Sequence, residues 1–105
     1  MILKRKSRYL LVEASRDVDM QDKQAWGSLR SEMLAFLGES RYVSANPFLM
    51  SQLDPRRFII RVGRGSEREM VLALAFIKSM GGKETGFYTL KISGTIKSLK
   101  TKNTG

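Results

Sequence analysis

The chain has 105 residues, with no Cys and no His, 42% apolar residues, a net charge of +9 and a pI near 10.3. That length suits one domain that buries a single core without staples. The missing Cys removes disulfides and thiolate metal sites, and the missing His removes the commonest general base and zinc ligand. No apolar run nears the ~20 residues of a membrane span. The start, MILKRKSR, lacks the apolar centre of a signal peptide, so a cytoplasmic protein is expected.

The charge is unevenly placed. Residues 1–10 hold Lys4, Arg5, Lys6 and Arg8 with no acid, and residues 91–105 hold Lys91, Lys97, Lys100 and Lys102 with no acid, so the stretch between carries a net charge of only +1. Clustering of this kind points to a polyanionic partner; the plainer alternative is a solubilising role.

Residues 1–100 are expected to form one α/β domain with a basic lead-in, and residues 101–105 a flexible tail. Residues 8–15, RYLLVEAS, alternate as a strand, with Leu10, Val12 and Ala14 on one face and Tyr9, Leu11 and Glu13 on the other. The spacing of Trp26, Leu29, Met33 and Leu37 predicts a helix over 21–38, capped by Asp19 or Asp22 and stopped by Gly38. Residues 42–53 read as extended but irregular, because Pro47 cannot donate to a central ladder. Asp54-Pro55-Arg56-Arg57 is a turn signal.

The next strand is RFIIRV, residues 57–62. Phe58, Ile60 and Val62 form one row, with Arg57, Ile59 and Arg61 in the other. Ser66-Glu67-Arg68-Glu69 has the pattern of a capping box and opens a helix over 67–80 that ends at Gly81-Gly82. The last strand is expected over 87–97. In it Leu90, Ile92 and Ile96 face the helices, Gly94 lets a neighbour approach closely, and Thr89, Lys91, Ser93, Thr95 and Lys97 face outward.

The order β-α-β-β-α-β is the ferredoxin-like, RNA-recognition-motif-like two-layer sandwich: an α+β fold with a four-stranded antiparallel sheet and two helices on one face. The first and third strands are taken to run parallel, with their starts and the finish of the fourth at one end. On that basis Lys4–Arg8, Arg56–Arg57 and Lys97–Lys100 converge into one patch, joined by Arg61, Lys91, Ser93 and Thr95 from the open face. RRFIIRVG lacks the aromatic positions with which such sheets stack bases, leaving only Tyr9, so contacts to phosphate and 2′-hydroxyl are expected rather than base reading. Met70–Ile77 is apolar nearly all round, more than a stripe requires. Val71, Leu72 and Phe76, with Tyr9, Leu11 and Ile59 on the sheet, are candidate protein contacts.

No nucleophile–base pair and no metal-ligand cluster is visible, so the chain reads as non-catalytic. Gly63-Arg64-Gly65-Ser66 before a helix could cradle an anion, but a turn explains it as well. A phosphate hydrolase would need Arg64 and Asn46 to meet, and Asn46 sits before Pro47 in an irregular stretch.

RYLLVEA, then FIIRVGRG running into VLALAFI, and the closing SGTIK of Ser93–Lys97 together resemble the ribonuclease P protein component 2 family of archaea and eukaryotes. The resemblance implies an accessory subunit of a ribonucleoprotein that removes 5′ leaders from precursor tRNA. It implies catalysis by the RNA with its bound magnesium, and no cofactor in the protein. It also implies partners: the ribonuclease P RNA, protein component 3 and other subunits, with self-association into a dimer of heterodimers. The alternative is a protein-interaction module with little direct RNA contact.

Overall fold

The computed structural model describes residues 6–100. In chain order the elements are β1 (Ser7–Ala14), α1 (Lys23–Leu37), α2 (Glu39–Ala45), β2 (Phe48–Asp54), β3 (Arg57–Gly63), α3 (Glu67–Phe76), β4 (Ser79–Met80), β5 (Lys83–Glu84), β6 (Phe87–Ser93) and α4 (Ile96–Lys100). The long strands form a four-stranded sheet in the order β2-β3-β1-β6, and every neighbouring pair is antiparallel. This is the expected α+β, ferredoxin-like sheet. Lys4, Arg5 and the tail over 101–105 lie outside the described residues.

One expectation about direction fails. β1 and β3 run antiparallel, with Ser7 opposite Gly63 and Glu13 opposite Arg57. The cause is local. Asp54-Pro55-Arg56-Arg57 turns the chain straight back, with the Asp54 carboxylate accepting from the Arg56 and Arg57 N–H groups at 2.9 Å each. β3 must therefore oppose β2, and it inserts between β2 and β1. The start of β1 then meets the end of β3 and the end of β6.

Leu10, Val12, Phe58 and Ile60 on the helix side are fully buried against Leu29, Met33, Met70 and Leu74. Each such side chain contributes roughly 1.5–3 kcal/mol by leaving water. Phe58 meets Phe87 edge-on at 6.1 Å. α1 starts where the Asp22 side chain accepts from the Gln24 N–H at 2.9 Å, and it stops at Gly38, whose φ of 85° suits glycine. The last four residues of α2, 42–45, fall in the stretch expected to be extended. α2 ends at Asn46, in the left-handed region at φ 44°, because the residue before Pro47 is barred from continuing the helix.

Three boundaries shift for physical reasons. α3 ends at Phe76, not at residue 80, since Gly81-Gly82 instead forms the loop of the β4–β5 hairpin with φ values of 61° and 81°. The Ser66 side chain makes no cap bond; Glu67 Oε1 accepts from the Gly65 N–H at 2.7 Å in its place. β6 ends at Ser93, where Ser93 Oγ accepts from the Thr95 N–H and Thr95 Oγ1 from the Ser98 N–H, which starts α4.

A bulge moves the faces of β6. Lys91 opposes Leu11 and Thr89 opposes Val12, leaving Leu90 as the extra residue. Phe87 and Thr89 thus join Ile92, the partner of Leu10, in the helix-facing row; Ile92 keeps its expected face but stays 44% exposed, and Leu90 is 47% exposed rather than buried as expected. Two polar side chains tie loops to this frame. Gln52 accepts from the Met20 N–H at 2.9 Å and donates to the Val18 carbonyl at 3.1 Å. Arg16 donates to Thr85 Oγ1 at 2.7 Å and to the Met80 carbonyl at 3.2 Å.

A Cβ on Gly63 would stand 3.0 Å from the Ser44 carbonyl oxygen, whereas one on Gly94 would meet only the end of Arg8 at 3.5 Å. Gly94 is therefore not needed for a close approach. Gly63→Ala should lower unfolding stability by about 1–3 kcal/mol in urea melts, and Gly94→Ala should change it by less than about 0.5 kcal/mol. Gln52→Ala, which leaves the Met20 amide and Val18 carbonyl unpaired, should lower it by about 1–3 kcal/mol in the same assay.

Candidate nucleic-acid interface

The strand registers lay out the open face as three cross-strand rungs. The first, at the end where β1 starts, is Phe48–Arg61–Tyr9–Ser93; the second is Ser51–Ile59–Leu11–Lys91; the third, at the far end, is Asp54–Arg57–Glu13–Tyr88. Paired residues share a face, so each rung is a row of neighbouring side chains.

The far end is charge-compensated. Arg57 lies 3.8 Å from Glu13 and 3.5 Å from Asp54, and Arg56 lies 3.1 Å from Asp17. The expectation that Arg56 and Arg57 join the basic patch is therefore corrected, because the antiparallel β3 carries its start away from the start of β1.

The first-rung end collects other cations. Lys6 enters β1, and its carbonyl accepts from the Arg64 N–H at 3.0 Å, which brings the turn after β3 beside it. Arg61 lies over the Phe48 ring at 5.0 Å from its centroid. Arg8, on the helix side, sits 3.5 Å from Glu67, at the start of α3. Lys97 and Lys100 lie on α4, which contacts β1 and β6. Lys6, Arg64, Lys97 and Lys100 are exposed. The described parts of two expected runs, Lys6 and Arg8 with Lys97 and Lys100, thus converge with the expected Arg61, and Arg64 joins them in place of the third run. Sequence alone presents Arg64 only as part of an anion cradle, because its place beside Lys6 depends on strand direction.

The hydroxyls have local work. Ser93 and Thr95 hold the turn into α4, so Thr95 and Lys97 belong to a turn and a helix rather than to the outward row of a strand. Leu99 is 2% exposed yet stands outside the helix-side core, as does Ile59 at 0%. Ile59 lies on the open face and is fully buried there, and α4 contacts β1 and β6, so α4 places Leu99 against the open face. Ile59 is thereby removed as a contact residue, while Tyr9 and Leu11 are half-buried.

On the helix layer Val71 packs against the core, but Leu72 and Phe76 are exposed, and Phe76 stacks on Phe36 at 5.2 Å. Among the described residues no group of three or more acidic side chains could hold a metal ion, and no helix is long and apolar enough to cross a membrane.

A family model described as the Rpp14/Pop5 family matches residues 8–103. Ribonuclease P protein component 2 of Pyrococcus horikoshii is 31% identical over 102 residues, covering 95% of this chain and 84% of the relative. The protein of the same name from Thermococcus kodakarensis is 32% identical over 105 residues with the same coverage. That from Methanocorpusculum labreanum is 29% identical over 100 residues, covering 95% of this chain and 67% of the relative. A chain in the cryo-EM structure of yeast ribonuclease MRP shares the fold, with a TM-score of 0.56 at 17% identity, covering 90% of this chain and 79% of that one. With the sheet, the registers and these matches in agreement, the chain belongs to the Rpp14/Pop5 family.

Proposed function

We propose that this chain is a non-catalytic protein subunit of ribonuclease P that binds the RNA with the end of its sheet where β1 starts. The observation that carries this reading is the gathering of Lys6, Arg61, Arg64, Lys97 and Lys100 at one end while the far-end arginines are paired with acids. Membership of the Rpp14/Pop5 family, and relatives named ribonuclease P protein component 2, support it. The cations would neutralise phosphates and release counterions. Close-packed RNA strands repel one another, so a bound cationic end stabilises the folded RNA. Substrate tRNA precursor and the magnesium held by that RNA are then positioned more often, and leader removal proceeds at lower magnesium. The protein supplies charge and shape; the RNA supplies the chemistry, in the cytoplasm.

A protein contact fits a different surface. The exposed Phe36–Phe76 stack with Leu72 suits component 3 or another subunit, and it favours the second reading, a protein-interaction module that touches little RNA.

Each phosphate-binding cation contributes about 0.9 to the logarithmic salt slope on duplex RNA. Replacing Lys6, Arg64 and Lys100 together by Ala should flatten the slope of RNA binding by about 2–3, and replacing Arg56 and Arg57 should leave it unchanged. The reverse pattern, in filter-binding titrations across salt, would place the contacts at the wrong end. Replacing Phe36 and Phe76 by Ala should abolish nuclease-resistant copurification with component 3 and leave the salt slope intact. Loss of copurification on nuclease treatment of the unaltered protein would instead mean that RNA bridges the two.

A further inference from the structure

Among the described residues, Phe48 is the aromatic residue of the open face that is 53% exposed and also carries a guanidinium over its ring, that of Arg61 at 5.0 Å. It stands on the outer strand β2, at the edge away from the β1–β6 side that α4 covers. Arg61 also lines a cavity of about 200 Å3 with Lys6, Ser7, Asn46, Val62 and Gly63. An apolar ring, a guanidinium over it and a cavity with ammonium, amide and hydroxyl groups thus meet at one side chain, Arg61.

We propose that this corner is a site for a single unpaired nucleotide. The base stacks on the pair in which the Arg61 guanidinium lies over the Phe48 ring, and its phosphate is held at the cavity by Lys6 and Arg61. The inference rests on the RNA-binding reading and goes beyond it by naming the structural class of RNA. A base inside a duplex has both faces covered by its neighbours, so only an unpaired base can offer a face to a ring or a guanidinium plane. The site is sequence-tolerant, because every base has such a face. A protein segment would match it poorly: the apolar area is one ring, and the groups around it are cationic or polar. Charge complementarity selects an anionic ligand with a flat apolar part.

The test uses the full chain and two labelled RNAs of one mixed sequence, a short single strand and its blunt duplex. Phe48→Leu keeps an apolar side chain but removes the aromatic plane. It should weaken single-strand binding roughly tenfold, the loss of one base–aromatic stack, while leaving duplex affinity, salt slope and melting temperature unchanged. Phe48→Tyr should bind both RNAs like the unaltered protein. In the single strand a 2-aminopurine base should be quenched on binding to the unaltered protein and to Phe48→Tyr, but not to Phe48→Leu. Single-strand affinity and quenching untouched by Phe48→Leu would overturn the stacking site while leaving the RNA-binding reading standing. Equal losses on both RNAs would also overturn it. Absence of salt-dependent binding to either RNA by the unaltered protein would overturn both.

Discussion

β3 leaves β2 through a turn of minimal length at Asp54–Arg57, and the Asp54 carboxylate holds that turn by accepting hydrogen bonds from two backbone N–H groups. A strand placed after so short a turn can only run back along its predecessor. Once β3 pairs with β1, that direction sets Ser7 opposite Gly63 and Glu13 opposite Arg57. The charge map is a consequence. Arg56 and Arg57 fall among Glu13, Asp17 and Asp54, while Lys6 and Arg64 fall together at the other end. Exposed ion pairs of this kind contribute only about 0–1 kcal/mol each to stability. Their effect is on the field: they cancel charge at one end and leave it at the other.

Cations in this chain divide by task. Arg16 is spent on the fold, since its bonds to Thr85 and to the Met80 carbonyl fasten the β4–β5 hairpin to the end of β1. Arg8 is half committed, facing Glu67 beneath the sheet edge. Lys6, Arg64 and Lys100 sit on the surface. A count of basic residues along the sequence treats all of these alike, although the first two are engaged with the fold and the last group is exposed to solvent. The same holds for apolar residues: Ile59 and Leu99 are buried away from the main core, whereas Phe36, Phe48 and Phe76 stay in solvent.

The glycines show how local conformation and long-range contact part ways. Gly38, Gly81 and Gly82 have positive φ and can be read as stops or turns from sequence, though which of the two depends on the element downstream. A helix stop is the natural reading of Gly81-Gly82, and it overlooks the hairpin, because two residues of β4 and two of β5 are too short to leave a periodic signal. Gly63 is needed for a different reason: the Ser44 carbonyl of α2 crosses 3.0 Å from where a side chain would begin. Nothing in GRGS announces that neighbour.

By itself the sequence determined the order of the four long strands with α1 and α3, the buried rows of β1 and β3, the buried stripe of α1 and the excess of cations near both ends, because these are set by spacing and residue type over a few positions. Tertiary structure alone decided that β3 pairs with β1 as well as with β2, that a bulge leaves Leu90 out of the helix-facing row, and that Phe48 lies beside Arg61. Each of these depends on hydrogen-bond register between segments far apart in the chain, and a shift of one residue in that register exchanges the two faces of a strand. No window of sequence carries that information.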